Sequence, residues 1–327
     1  MSRALLSRTL KSTLKSMSLD TQYEGLRDYL YDFRRFMKHS SALDPRSSHA
    51  AIGARITKEY HRIEKGLALP EPRTGFGRPV IDDLVKTLPA YEAEGRDYIS
   101  KGARATVRDW VAFQDERGGE VPDEVRSFIE GTENLRGGVK TLSRAEIGEA
   151  TGIDFERFVR TRYSVRAFTG DPVSSDAVER AVALALKTPR VCNRESRHVR
   201  VAYSPEMREK MLSFQNGNKG FGHLAGAVLM ITSDLSAFTD FGERNQCWID
   251  GGMFAMSLAN AFHSQALGVC MLNSSTIGWR DARMRQALNV PDNEVVITFM
   301  AVGHLPESIQ VAVSPAPELD GVLQVVG

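Results

Sequence analysis

The chain is poor in cysteine and has no excess of charge of either sign. Its 327 residues include three cysteines, Cys192, Cys247 and Cys270. These are too few and too scattered for a disulfide framework or a cysteine-rich zinc site. Lysine and arginine together number 42, against 41 for aspartate and glutamate. This balance gives no global argument for binding nucleic acid or a membrane surface. We therefore expect a cytoplasmic protein.

Long apolar runs are also missing. The longest apolar stretch, Trp248 to Leu267, is interrupted by Asp250, Asn260, His263 and Gln265. It is therefore predicted to be a buried core helix and not a membrane span. Hydrophobic residues nevertheless make up 42% of the chain, which excludes wholesale disorder.

The sequence lacks the motifs of several common enzyme classes. It contains no Gly-x-x-x-x-Gly-Lys-Ser/Thr phosphate loop and no Gly-x-Gly-x-x-Gly after a strand. It contains neither a His-Glu-x-x-His pair nor a Gly-x-Ser-x-Gly elbow. These absences argue against phosphate-loop enzymes, dinucleotide-binding folds, zincins and α/β-hydrolases. No metal site is predicted.

The pattern of the chain changes near residue 150. Residues 1–150 are predicted to form a mostly helical N-terminal extension, with helices at Asp20 to Lys38, His49 to Lys65 and Ile81 to Lys101. Gly66 to Pro79 contains three glycines and three prolines, so it is predicted to be a loop.

Residues 151–327 alternate between short apolar runs and helical patterns. The segment Ser174-Ser175-Asp176 is predicted to supply the N-cap of a helix at Ala177 to Lys187, and a second helix is predicted at Asp281 to Leu288. The runs predicted as strands are Val199 to Tyr203, Ala227 to Thr232, Val269 to Leu272 and Val295 to Val302. This half is therefore expected to be a mixed domain of helices and strands.

The first nineteen residues are basic and amphipathic. Arg3, Arg8, Lys11 and Lys15 precede the first acidic residue, and leucines recur at helical spacing. Three interpretations stay open: a terminal helix, an arm that makes weak contact with an anionic membrane surface, and a segment similar to a mitochondrial transit peptide.

The densest polar motif begins the second half of the chain. Arg162, Ser164 and Arg166 alternate along the segment 162–166, so in an extended backbone they point to one side. Two guanidinium groups around a hydroxyl suit a phosphate through charge-assisted hydrogen bonds. A solvated basic turn is the alternative.

Three further polar or glycine-containing segments follow this motif along the chain, and their order and spacing carry a family resemblance. They are Thr188-Pro-Arg-Val-Cys-Asn193, the loop Gln215-Asn-Gly-Asn-Lys-Gly220, and Gln265-Ala-Leu-Gly-Val-Cys-Met-Leu-Asn-Ser274 at the end of the apolar helix. With Arg162-x-Ser-x-Arg166, the chain resembles the nitroreductase family of flavin enzymes over about residues 155–305.

The resemblance implies an α+β fold. It is a nitroreductase-like three-layer αβα sandwich with a mixed, mostly antiparallel sheet, here preceded by the helical extension. It also implies a homodimer with FMN at the subunit interface and the helix from Gln246 at its centre. The residues that would bind the cofactor are Arg162, Tyr163, Ser164, Arg166, Pro189, Arg190, Val191, Asn193, Asn218, Lys219, Leu272, Asn273 and Ser274.

The function implied by the resemblance is an FMN-dependent oxidoreductase. It would transfer hydride from NAD(P)H to a nitroaromatic, quinone or enone by a ping-pong mechanism, and no catalytic side chain is identified. Two alternatives stay open: dehalogenation or flavin fragmentation on the same fold, and a non-catalytic flavin-binding or interaction protein linked to polysaccharide assembly.

The chain departs from the family pattern at several positions. Residues 313–318 contain none of the basic residues that usually complete the phosphate site. Arg190 stands where a small residue is usual, and it or the extension is expected to replace the missing charge, unless FMN binds weakly. The motif around His61, Arg62 and Lys65 resembles long nitroreductase-like proteins of bacterial polysaccharide gene clusters. It is predicted either to line the substrate pocket or to form intrahelical ion pairs.

Overall fold

The computed structural model describes residues 22–44, 48–95, 97–135, 137–141, 143, 145, 152–312 and 319–326. Ten α-helices and four β-strands lie in these ranges. The predicted basic arm of residues 1–19 and the segment 313–318 lie outside them. The predicted boundary between the two halves, at 150/151, also falls outside the described residues.

The N-terminal half is helical, as its pattern predicts. Residues 22–39 form α1. The four helices that follow are α2 (His49–Leu67), α3 (Arg78–Glu92), α4 (Tyr98–Glu116) and α5 (Asp123–Phe128). Helices α2, α3, α4 and α5 enclose their own apolar cluster around the fully buried Trp110. The indole N–H of Trp110 donates to the carbonyl oxygen of Phe76 at 2.8 Å, so its one polar atom is satisfied.

The prediction of a single helix from Ile81 to Lys101 is wrong. The chain breaks after α3, because Gly95 adopts a φ of +121° that a helix cannot include. Asp97 then begins a new helix, since its carboxylate accepts a hydrogen bond from the backbone N–H of Ser100 at 2.9 Å. This is an ordinary helix N-cap.

The second half contains an antiparallel sheet. Its strands are β1 (Arg197–Ala202), β2 (Ala227–Asp234), β3 (Leu267–Asn273) and β4 (Glu294–His304), in the order β1-β2-β4-β3. All three neighbouring pairs are antiparallel. A single parallel bridge joins Ser164 to Val269 of β3. The four predicted strands are confirmed.

Helices cover both faces of this sheet. They are α6 (Phe155–Thr161), α7 (Ser175–Ala185), α8 (Pro205–Leu212), α9 (Gln246–His263) and α10 (Gly278–Ala287). Alternate residues of β2 point to opposite faces: Leu229 joins the cluster with α7 and α9, whereas Met230 joins the cluster with α8 and α10. The predicted three-layer αβα sandwich with a helical extension is therefore confirmed. None of the described helices is long and apolar enough to span a bilayer.

Candidate functional site

The arginine-serine-arginine motif lies on an extended segment beside the edge strand β3. Helix α6 ends at Thr161, and Arg162 has the extended backbone angles φ −81° and ψ 115°. The N–H of Val165 donates to the carbonyl oxygen of Val269 at 2.8 Å. Val165 is buried, whereas Ser164 and Arg166 are exposed. The inward side chain thus anchors the segment while its neighbours face solvent.

The two guanidinium groups of this segment have no acidic partner. Among the described residues, no carboxylate forms an ion pair with Arg162 or Arg166. The one hydrogen bond of the Arg166 side chain is a 3.5 Å contact to the carbonyl oxygen of Ser164. Burial raises the pKa of the Cys270 thiol, and the charge of Arg166 partly offsets that rise. Because Val165 is hydrogen-bonded to Val269, Arg166 lies beside β3, and its charge has no carboxylate partner among the described residues.

Arg190 is oriented differently, toward its own loop. Its Nε donates to the carbonyl oxygen of Asn193 at 3.0 Å, and it lies 3.6 Å from the carboxylate of Glu195. The turn 190–193 is also bound to α9: the carboxylate of the fully buried Asp250 accepts a hydrogen bond from the N–H of Val191 at 3.1 Å. Arg190 is thus held within its own loop and shares the Glu195 carboxylate with Arg197.

The next three arginines are also neutralised. Arg194 is 1% exposed and hydrogen-bonds the carboxylate of Glu243 at 3.0 Å. Arg197 pairs with Glu195 at 2.7 Å, and Arg200 pairs with Glu294 at 2.6 Å. Burial alone would raise the pKa of Glu195, but hydrogen bonds and charge from Arg197 hold that pKa below its usual value. The guanidinium groups of these three arginines are therefore engaged within the fold.

The loop 215–220 lies against the end of β3. Gln215 is buried, and its side-chain N–H donates to the carbonyl oxygen of Asn273 at 3.3 Å. The Asn218 amide donates to the carbonyl oxygens of Leu212 at 2.9 Å and Gln215 at 2.7 Å. The structure therefore brings the Asn218 and Asn273 segments together. The donor of Asn218, however, is used within its own loop.

Gln215 is a contact that the sequence analysis missed. It is the residue that ties the 215–220 loop to β3, yet nothing in its local sequence distinguishes it from an ordinary exposed loop glutamine. Of the other predicted residues in this region, Leu272 is buried, Ser274 is half-buried, and Lys219 and Asn273 are exposed.

The N-terminal extension contacts both sides of this region. Tyr31 on α1 donates to the carboxylate of Asp281 on α10 at 2.7 Å and accepts from Arg285 at the same distance. Helix α2 packs against the turn 191–193. Within α2, the His61 ring contacts the Glu64 carboxylate at hydrogen-bond distance, 2.8 Å, and Arg62 forms an ion pair with Glu59 at 2.7 Å. This observation favours the intrahelical alternative for that motif.

One face of α9 is apolar and exposed. Its residues recur at helical spacing, and each is 39–52% exposed: Trp248, Ile249, Met253 and Met256. Exposed apolar side chains grouped on one helix face are the kind of surface found at protein interfaces.

One stretch of the chain matches a model of a known protein family. Residues 159–216 match the model of the Nitroreductase family, which confirms the resemblance over that stretch. It includes the segment 162–166 and the turn 190–193. The matched stretch lies at the beginning of the α/β half. No curated protein matches the chain.

Similar solved structures are distant in sequence. An FMN-dependent nitroreductase from Clostridium difficile is 20% identical, with 51% of this chain and 96% of that chain covered and a TM-score of 0.43. A nitroreductase candidate from Desulfovibrio desulfuricans in complex with FMN is 20% identical, with 54% and 99% covered and a TM-score of 0.46. A nitroreductase family protein from Streptococcus pneumoniae is 14% identical, with 53% and 100% covered and a TM-score of 0.45.

Proposed function

We propose that the chain is an FMN-dependent oxidoreductase that transfers hydride from NAD(P)H to an electron-poor small molecule. A nitroaromatic, a quinone or an enone has the required chemistry. One observation carries the proposal: the two arginines on either side of Ser164 in sequence have no carboxylate partner among the described residues, and they lie within the stretch that matches the family model. The match supports an oxidoreductase in general, and the free charges support a phosphate-bearing cofactor.

The donor set fits the phosphate end of FMN. Arg162 and Arg166 supply charge-assisted hydrogen bonds and Ser164 supplies a hydroxyl, which is the chemistry that a phosphate group requires. In the loop 215–220, exposed Lys219 is the cation free to approach the ring system, because the Asn218 amide is already hydrogen-bonded. The remaining ring contacts are proposed for Tyr163, the turn 189–193 and Leu272 to Ser274.

The cofactor carries the redox chemistry, and this chain orients the reactants. Bound FMN would supply the hydride-transfer chemistry between NAD(P)H and the acceptor. Arg162 and Arg166 would hold the charged tail of the cofactor. The segment 272–274, fixed by Gln215, forms one wall of the reaction site. No nucleophilic serine, histidine or cysteine is required, and burial raises the pKa of the Cys247 thiol to about 12.

We propose further that two copies of the chain associate through the apolar face of α9. Burying Trp248, Ile249, Met253 and Met256 against a second copy would remove this face from water. Light scattering is expected to give twice the 36.2 kDa mass of one chain. Met253→Lys is expected to give a monomer. A wild-type protein that is monomeric at micromolar concentration would contradict this arrangement.

Absorbance spectroscopy tests the function directly. The purified protein, or the protein mixed with FMN and separated from excess cofactor, is expected to show flavin bands between about 350 and 500 nm. NADH or NADPH is expected to bleach these bands anaerobically, and a quinone is expected to restore them. A protein that neither contains nor retains FMN would contradict the proposal.

A further inference from the structure

A cavity of about 490 Å³ lies beside the proposed flavin site. One wall is the loop that follows α8, and the other is formed by the loop after β3 together with α10. The side chains that matter here are Phe214, Ser275, Thr276, Trp279, Arg280 and Arg283. None of the described residues that line this cavity is acidic.

The cavity adjoins the segment proposed to lie over the flavin ring. Ser275 directly follows Ser274, at the end of β3. On the opposite wall, Phe214 precedes Gln215, whose amide donates to the carbonyl oxygen of Asn273. A molecule in the cavity would therefore lie next to residues 272–274, where a redox substrate must bind.

Helix α10 divides its charged residues between two environments. Asp281 and Arg285 pair with each other at 3.0 Å and contact Tyr31 of α1. Arg280 and Arg283 line the cavity instead. Neither forms an ion pair with any carboxylate in the part of the chain that the structure describes. The cavity thus has two free positive charges, although the neighbouring arginine and aspartate of the same helix are fully engaged.

The cavity also contains an aromatic surface next to these charges. The Trp279 side chain is 55% exposed, and the Arg280 guanidinium lies 5.2 Å from the centre of its ring. Phe214 provides a second ring on the facing wall. Flat rings stack on such surfaces, while guanidinium groups bind carboxylate or phosphate.

We propose that this cavity selects a planar substrate that carries an anionic group, with Arg280 and Arg283 binding the anion and Trp279 contacting the ring. The inference rests on the proposed function, because the neighbouring flavin is what makes the bound molecule a redox substrate. The anionic group has two sources. It is a carboxylate on the electron acceptor, or it is the phosphate of NADP(H).

Binding measurements separate these sources. Isothermal titration calorimetry is performed on the full-length protein with two matched pairs of probes: 4-nitrobenzoate against 4-nitrobenzamide, and NADP⁺ against NAD⁺. The variant is the double substitution Arg280→Gln and Arg283→Gln. The control is Arg117→Gln, because Arg117 also lies over an aromatic ring, 5.1 Å from that of Phe113, but belongs to the extension.

The wild type is expected to bind the more anionic member of at least one pair about 10-fold more tightly or better, since charge-assisted hydrogen bonds are roughly twice as strong as neutral ones. The double variant is expected to lose that preference, and Arg117→Gln is expected to keep it. If the double variant loses the preference for nitrobenzoate, the cavity binds the acceptor. If it loses the preference for NADP⁺, the cavity binds NADP(H).

Equal binding within both pairs, or a preference that survives in the double variant, would overturn the inference. The flavin content of each sample is recorded separately from its absorbance. Retained flavin without an anion preference defeats this inference alone. An anion preference in a protein that cannot hold FMN defeats the proposed function but leaves the anion-binding cavity in place.

Discussion

The segments 162–166 and 190–200 are both rich in arginine, but their guanidinium groups have different partners. Arg194, Arg197 and Arg200 each bind a carboxylate at 2.5–3.0 Å. Arg162 and Arg166 have no such partner among the described residues. The first group is mostly buried, whereas the second projects from a largely exposed segment anchored by Val165.

This difference shows that the burial of an arginine decides whether it needs a carboxylate partner. A buried guanidinium is costly unless a carboxylate compensates it, so Glu195, Glu243 and Glu294 are required where Arg194, Arg197 and Arg200 enter the interior. An exposed guanidinium needs no such partner and stays free for a ligand. A cluster of arginines in the sequence therefore does not predict a ligand site. Whether each guanidinium group has a carboxylate within contact distance is a better criterion.

The largest effect is expected from Glu243→Gln. Arg194 is 1% exposed, and removing its compensating charge is expected to lower the free energy of unfolding by about 3–5 kcal/mol. Glu156→Gln is the matched control, because it removes the partner of Arg160 in a pair whose side chains are 76% and 74% exposed. That change is expected to cost about 0.5 kcal/mol or less. Urea unfolding of both variants checks the difference, and similar losses would break the comparison.

A smaller effect is expected from Asp250→Ala. This change leaves the N–H of Val191 and the side-chain amide of Gln246 without their acceptor. An unsatisfied buried donor costs about 1–3 kcal/mol. Hydrogen exchange at residues 190–193 is expected to accelerate along with the loss of stability. Unchanged exchange would show that α2, and not Asp250, fixes the turn beside the paired arginines.

The smallest effect is a dependence of stability on acid pH. The pKa values of Glu195 and Glu294 lie below their ordinary value of 4.5: burial opposes this shift, but hydrogen bonds with arginine outweigh it. Because the folded-state pKa is the lower one, this stabilisation is complete above the unfolded-state pKa. It is lost as the pH falls through the folded-state value. Unfolding measured between pH 7 and pH 3 is expected to show this loss.

The variant Glu294→Gln sharpens that measurement. It is expected to be less stable than the wild type at pH 7 and to lose less further stability on acidification, because one of the two shifted carboxylates is gone. Parallel curves for the two proteins would contradict the role given to this carboxylate.

Much of the fold could be predicted because it depends on local patterns. The four strands are apolar runs, and Ser174 caps α7 through a contact three residues away. The break at Gly95 was missed because the apolar periodicity of α3 continues past it. The contact of Tyr31 with Asp281 joins residues 250 positions apart, and no local pattern could reveal it.

The candidate site was predictable in its residue types but not in their partners. The motif 162–166 contains the groups that a phosphate needs, and the structure leaves them free. Arg190 and Asn218 have suitable chemistry as well, but their donors are used by Asn193 and Leu212 in the folded chain. Which polar group is free depends on tertiary contacts, so the sequence could nominate these residues without ranking them.

A comparison of FMN with riboflavin tests the central claim most directly, because the two molecules differ by the phosphate alone. Fluorescence titration is expected to show that the wild type binds FMN at least about 10-fold more tightly than riboflavin. In the double variant Arg162→Gln and Arg166→Gln, this preference is expected to disappear while urea unfolding of the cofactor-free protein stays unchanged. Equal affinities in the wild type, or a preference that survives in the variant, would contradict the account.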